Sequence, residues 1–356
     1  MKASILLSAV AFGLSLLAAP GMAAPTNDVL PPIIAERTAL PSHIPKADLK
    51  AEQRAMKKNG QLPDHVEQKG GMGLTETEFP HSLEARRLFA KATAAHIKDL
   101  THYTYLSSNA YCPSVAPGAK WECKNCASTV PDAKMITAFS SSTYHTTGYI
   151  IRSDKKKQID LSFRGTSSLR NFAADLQFLY ADYSPVKGAK VHTGFYKAYK
   201  EVAEHVVTTM RKQLESYPKY KVVISGHSLG GAIGILAALD LYQRDARFSK
   251  DNLSVFTYGG PRVGNPEFAY YFAGTGINLT RTVNEHDVVP HLPPQAFGYL
   301  HPGVEHWIRG DKNTVQICDD SELDNRHCSN SIVPYTNVPD HLTYFDIHVG
   351  GCIDKA

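Results

Sequence analysis

The stretch that decides the architecture is Lys221-Val222-Val223-Ile224-Ser225-Gly226-His227-Ser228-Leu229-Gly230. Residues 221–225 (KVVIS) are a β-branched, apolar run of the kind that makes a fully buried strand. Residues 230–244 (GGAIGILAALDLYQR) then read as a largely buried helix. Between them Gly226–Gly230 matches G-x-S-x-G, and the strand before it and helix after it are the context that motif requires. A sharp strand-to-helix turn holds its serine in a strained conformation, and side chains at the two flanking glycines would collide with neighbouring backbone. Ser228 is thereby lifted above the sheet as a candidate nucleophile. The Leu229 N–H lies at a helix N-terminus, where unpaired amides favour developing negative charge. His227 is adjacent to Ser228, so its side chain points away from the serine and packs beneath the turn.

Working outward, strands and helices alternate from residue 145 onward, which predicts an α/β fold. Residues 158–164 (QIDLSFR) form a short strand ending at Gly165. Apolar residues at helical spacing predict one helix over 195–217, stopped by Pro218. Further strands are expected over 253–258 and 279–283, the first followed by the Gly259-Gly260-Pro261 break. No internal repeat or interdomain linker is visible.

The N-terminal part is different. Lys2, the apolar run 4–19 (SILLSAVAFGLSLLAA) and small residues at Gly21 and Ala23 predict a signal peptide over 1–23. Residues 24–84 carry Pro31-Pro32, scattered charge, Lys57-Lys58, Gly70-Gly71-Met72-Gly73 and no cysteine. That composition predicts a pro-segment, removed or loosely docked, ahead of a single domain over 85–356. Secretion to the extracellular space is the expected destination, with no stable transmembrane association. From residue 85 onward 30 Lys/Arg face 25 Asp/Glu without a basic tract, which is no nucleic-acid footprint. All six cysteines lie in that part. An even number behind a signal peptide favours three disulfides, with 15 pairings open. Cys123-x-x-Cys126 has no second CxxC and is better read as a loop staple than a redox or metal site. Asn252 and Asn278 head glycosylation sequons.

In this fold class an acid and then a histidine follow the serine. Asp287 stands after the 279–283 strand in a polar turn, with Glu285 and Asp340 as rivals better suited to turns. His291, His301, His306, His327, His341 and His348 are all candidates for the base, and His341, in Pro339-Asp340-His341-Leu342, stands out. A neutral imidazole can take the serine proton and return it to a leaving alcohol while a buried carboxylate fixes its tautomer. Phe163-Arg164-Gly165-Thr166 ends a strand, and its turn can aim an N–H and the Thr166 hydroxyl toward Ser228. Just beyond, Leu169, Phe172, Ala173 and Leu176 share one face of a short helix.

Gly226–Gly230, Arg164-Gly165-Thr166, His192-Thr193-Gly194-Phe195, Pro261-Arg262-Val263-Gly264-Asn265, Thr282-Val283-Asn284-Glu285 with Asp287, and Asp340-His341 together resemble the fungal class 3 lipases of the Rhizomucor miehei type. The resemblance runs from about residue 103 to 352. It implies an α/β-hydrolase fold with a predominantly parallel central sheet and a short helical lid. It implies Asp287 as the triad acid and His341 as the base, with Thr166 and Leu229 forming the oxyanion hole. It places the lid at Leu169, Arg170, Asn171, Phe172, Ala173, Ala174 and Asp175. It assigns an acyl groove to Phe178, Val288, Val289, Leu292, Pro293, Phe297, Val338 and Leu342. It also implies the disulfides Cys112–Cys352, Cys123–Cys126 and Cys318–Cys328.

The resulting expectation is a monomeric lipase acting on acylglycerols at lipid–water interfaces, with neither metal nor organic cofactor. A feruloyl-type or other soluble-ester esterase of the same fold is the main rival; an apolar lid face, useless on soluble substrates, argues against it. A phospholipase A1 is a second alternative. A non-catalytic lipid-binding relative is a third, opposed by the intact Ser228, Asp287, His341 and Thr166 set.

Overall fold

The computed structural model describes residues 30–41, 89–166, 176–318, 323–325 and 327–352, with backbone alone for 89 and 311–313. The expected signal peptide, most of the expected pro-segment and the expected lid positions Leu169, Arg170, Asn171, Phe172, Ala173, Ala174 and Asp175 lie outside the described residues. Thirteen strands are described: β1 Phe89–Lys91, β2 Ala133–Ser140, β3 Thr147–Ser153, β4 Gln158–Phe163, β5 Tyr180–Asp182, β6 Lys190–His192, β7 Lys221–His227, β8 Leu253–Tyr258, β9 Asn278–Asn284, β10 Val304–Arg309, β11 Asp311–Cys318, β12 Thr343–Tyr344 and β13 Ile347–His348. The longer helices are α1 Ala94–Asn109, α2 Thr193–Lys200, α3 Ala203–Ser216, α4 Leu229–Arg244 and α5 Pro266–Gly274.

Nine strands form one sheet in the order β1-β11-β10-β9-β8-β7-β4-β3-β2. The middle run β4-β7-β8-β9-β10 is parallel, and both flanks are antiparallel. This is the expected α/β architecture, with the parallel strands confined to the centre that carries the site. Every residue of β3 and β4 is buried, as covered central strands demand. Helix α4 is apolar nearly all round and buried on nearly every position, so it is a core helix rather than a surface amphipath. It packs on β7 and β8 and brings the main core together around Ile224, Ile233, Leu236 and Val255.

The single helix expected over 195–217 is two helices. Thr146 Oγ1 donates to the Ala198 carbonyl at 2.9 Å, taking the acceptor that a continuous helix would offer to Val202. The Val202 N–H turns instead to Tyr199 O at 3.0 Å. Both halves still bury the predicted apolar face, through Phe195, Ala198 and Tyr199, then Val206, Val207, Met210 and Leu214. Helix α1 and the antiparallel flanks escaped the sequence reading. The α1 face carries Ser, Thr and Asn among its buried residues, which blurs its apolar periodicity.

Residues 30–41 are seated on the far end of α4. The Arg37 guanidinium donates to the carbonyls of Tyr242 and Phe248 at 2.6 Å each, and to Ala246 and Asp245. It also lies 4.2 Å above the Tyr242 ring. A cation over the unpaired carbonyls at a helix C-terminus satisfies them and complements the dipole. This part of the predicted pro-segment is therefore docked, with Leu30 and Leu40 against the main core. The disulfides join Cys112 to Cys352, Cys123 to Cys126 and Cys318 to Cys328, the pairing the resemblance implies. Asn278 is exposed at the start of β9, whereas the Asn252 amide is engaged by Arg247 O and Ser249 N. Among the described residues no helix is long and apolar enough to cross a membrane.

Candidate active site

Ser228 stands between β7 and α4 with φ 59° and ψ −131°, the strained backbone expected of a nucleophile elbow. The close packing explains the glycines. A Cβ on Gly226 would come within 2.4 Å of Gly230 backbone, and one on Gly230 within 2.3 Å of Phe163 O. The turn is pinned by Ser228 N–H donating to Tyr258 O at 2.9 Å. Ser228 opens α4, so the N–H of Leu229 belongs to the first turn of a sixteen-residue helix.

Asp287 follows β9 in a tight turn whose N–H donates to Asn284 O. His341 sits in the helical turn Pro339–Leu342, 54 residues further on. The structure brings the two together: His341 Nδ1 lies 2.8 Å from Asp287 Oδ2, with both side chains fully buried. A carboxylate only accepts, so Nδ1 carries the proton and the lone pair is on Nε2. Both His341 Nε2 and Ser228 Oγ are buried and without a hydrogen-bond partner among the described residues. Catalytic contacts of this kind often tighten only in the complex with substrate.

The rival acids serve turns. Asp340 accepts from the His286 N–H and from Asn337 Nδ2, and the Glu285 carbonyl accepts from Trp307 Nε1. Among the other histidines, His291 pairs with Asn330 and His301 with Pro290 O. His227 packs under the elbow, with Nε2 2.8 Å from the His341 carbonyl oxygen. Burial foremost, with His341 and His348 nearby, holds its imidazole well below the usual histidine range.

Three contributions were missed from sequence. Tyr344 Oη donates to Asp287 Oδ2 at 2.5 Å, and the Val289 N–H donates to Oδ1 at 2.8 Å. Tyr344 reads as a core aromatic in sequence; only the fold turns its hydroxyl to the acid. The third is Tyr111, whose hydroxyl lies 2.7 Å from His227 Nδ1.

Gly165, next to Thr166, lies against the nucleophile, since a Cβ there would be 3.0 Å from Ser228 Cβ. Of the groove positions, Val288, Val289, Leu292 and Pro293 lie on the segment immediately after Asp287, and Val338 and Leu342 flank His341. Phe178 and Phe297 form a ring pair with centroids 4.9 Å apart, and Phe297 is 38% exposed. Val289 is 1% exposed, so it contributes chiefly its backbone.

The family Lipase (class 3) matches over residues 161–297. The Rhizopus niveus lipase is 48% identical over 356 residues, covering 93% of this chain and 90% of that protein. The structure of the Rhizomucor miehei lipase propeptide complex superposes with a TM-score of 0.78 at 49% identity, over 91% of this chain and 100% of the other. A solved triacylglycerol lipase whose catalytic centre is formed by a serine protease triad gives a TM-score of 0.71 at 51% identity, over 74% of this chain and 98% of that one. With similarity of that depth over nine-tenths of its length, and an acid–histidine pair buried beside a serine elbow, the chain belongs to the fungal class 3 lipases of the Rhizomucor miehei type and is a serine-hydrolase lipase.

Proposed function

We propose that this lipase is secreted and hydrolyses triacylglycerols at oil–water interfaces, with Ser228, His341 and Asp287 as nucleophile, base and acid. The observation that carries the reading is the buried 2.8 Å Asp287–His341 pair, which leaves the Nε2 lone pair free, together with a buried Ser228 hydroxyl that has no hydrogen-bond partner among the described residues. His341 takes the Ser228 proton as Oγ attacks the ester carbonyl, then returns it to the departing alcohol. Water attacks the acyl-enzyme by the same route in reverse, releasing the fatty acid. The Leu229 and Thr166 N–H groups, with the Thr166 hydroxyl, receive the oxyanion. Asp287 holds the imidazole tautomer and stabilises its cation.

The lid over 169–175 covers the site in water and turns its apolar face into lipid at an interface. Phe178, Val288, Leu292, Pro293, Phe297, Val338 and Leu342 receive the acyl chain, while buried Val289 supplies its N–H to Asp287. Residues 1–23 are a signal peptide and 24–84 a pro-segment preceding the catalytic domain, and the enzyme works as a monomer. Supporting the pro-segment reading, residues 30–41 dock away from the Ser228 end of α4.

The test is hydrolysis of emulsified tributyrin against soluble p-nitrophenyl acetate, with fluorophosphonate labelling of the purified protein. Labelling at Ser228, its loss in Ser228→Ala and a preference for the emulsion are expected. A preference for the soluble ester would leave a general esterase, and absent labelling would remove the nucleophile assignment.

A further inference from the structure

The mechanism uses Ser228, His341 and Asp287 but leaves a second buried histidine, His227, unexplained. Its two ring nitrogens are both engaged, and the partners decide the direction of each bond. Nε2 faces the His341 carbonyl oxygen at 2.8 Å, which can only accept, so Nε2 carries the proton. Nδ1 therefore accepts, and the Tyr111 hydroxyl 2.7 Å away donates to it. The Tyr111 oxygen in turn lies against Gly165, where a Cβ would come within 2.3 Å of it. Gly165 is the neighbour of Thr166 and stands against Ser228. A chain of two directed hydrogen bonds thus runs from Tyr111, packed against the turn beside the nucleophile, through His227 to the backbone of the catalytic histidine.

The chain is built between rigid supports. Tyr111 follows α1 and precedes Cys112, whose disulfide to Cys352 ties it to the C-terminal segment. His227 is the last residue of β7. The His227 and His341 rings lie 4.4 Å apart, centre to centre. Protonated His227 would put a cation beside His341, but burial keeps it neutral.

We infer that Tyr111 and His227 are positioning residues, which set the distance between the oxyanion turn at Gly165–Thr166 and the His341 imidazole. Both act through the groups they hold. A misplacement of about 1 Å between base and oxyanion donors is worth about a hundredfold in rate, so a chain that fixes that spacing acts on kcat. Hydrogen bonds that saturate both nitrogens also prevent ring flips that would swap donor and acceptor.

The inference rests on Ser228 and His341 being the nucleophile and base, and the experiment separates the two. Kinetics on tributyrin are measured per fluorophosphonate-titrated site for wild type, Tyr111→Phe, His227→Leu and His227→Gln, each with a thermal melt. If wild type is not labelled, the triad reading itself fails. If it is labelled, Tyr111→Phe and His227→Leu are expected to lower kcat by about tenfold to a hundredfold with KM unchanged. His227→Gln, whose amide offers an N–H and a carbonyl at similar separation, is expected to recover most of the loss. Unchanged kcat in a labelled Tyr111→Phe overturns the inference. So does a Gln variant no better than Leu, since shape alone would then explain the effect. Should His227→Leu fail to fold, Tyr111→Phe, which keeps the ring, still decides.

Discussion

Tyr344 Oη and His341 Nδ1 donate to the same oxygen, Asp287 Oδ2, at 2.5 and 2.8 Å. All three side chains are fully buried. Burial, and then the adjacent Asp287 charge, hold the Tyr344 phenol well above the usual tyrosine range, so it stays a donor at any working pH. A hydrogen bond to a buried charge contributes about 1.5–3 kcal/mol. Tyr344→Phe is therefore expected to lower the melting temperature and to reduce kcat about tenfold on tributyrin, with KM little changed. Melting and turnover both equal to wild type would show that Val289 N–H and His341 satisfy the carboxylate alone.

Gly259 occupies the narrowest point behind that pair. Its φ is +60°, and a Cβ there would lie 2.6 Å from both Asp287 Oδ2 and His341 Nδ1. No flexible end is available to move, since both atoms belong to the bonded pair. Gly259→Ala is expected to split acid from base and depress kcat by at least about a hundredfold, beyond the roughly 1–2 kcal/mol of left-handed backbone strain. Kinetics on protein whose folding is checked by circular dichroism measure it; near wild-type turnover would contradict this account.

Much of this was legible in sequence because local rules agreed. The 221–225 strand, the elbow and the α4 helix are specified by adjacent residues, and β4 and β8 by short apolar runs. Asp287 and His341 were not legible in that way: 54 residues separate them, six histidines competed, and only the fold puts one ring on the acid. The resemblance supplied what periodicity could not. Gly259 read as a simple break after a strand because its neighbours in space lie far along the chain. Tyr344, Tyr111 and the split between α2 and α3 were invisible for the same reason, each depending on a long-range hydrogen bond.

Away from the site, Asp160 on β4 should make stability fall toward neutral pH. It is 1% exposed, Gln158 Nε2 donates to Oδ1 at 2.5 Å, and Oδ2 is buried without a hydrogen-bond partner among the described residues. Burial raises its carboxyl to about 7, against roughly 3.9 in an unfolded chain. Between those values the unfolded chain has released the proton while the folded one still holds it. Stability therefore declines as pH rises from about 4 to about 7 and levels off above, by about 4 kcal/mol at most. Asp160→Asn keeps the Gln158 acceptor and removes the titration. Its melting temperature should match wild type near pH 4 and exceed it at pH 8; parallel curves would refute the assignment.

Arg262, in the Pro261–Asn265 motif, joins the proposed acyl groove to the C-terminal loop. Nε meets Asp324 Oδ2 at 2.5 Å, Nη2 reaches Asn330 Oδ1 at 2.8 Å and Nη1 reaches Pro293 O at 3.1 Å. Burial alone would raise the Asp324 carboxyl, but Arg262, with His301 and Arg281, holds it far below the usual range. Removing one partner of such a pair leaves a buried charge, at about 3–5 kcal/mol. Asp324→Ala should thus destabilise the protein strongly and loosen the Leu292–Pro293 segment. Replacing both charges, in Arg262→Met with Asp324→Leu, is expected to restore much of the melting temperature, because no isolated charge remains. It cannot restore the bond to Pro293 O. If that bond shapes the groove, the double variant will be stable yet shifted in its preference between tributyrin and long-chain triglycerides. A stable double variant with the wild-type chain-length profile would restrict Arg262 to a role in stability.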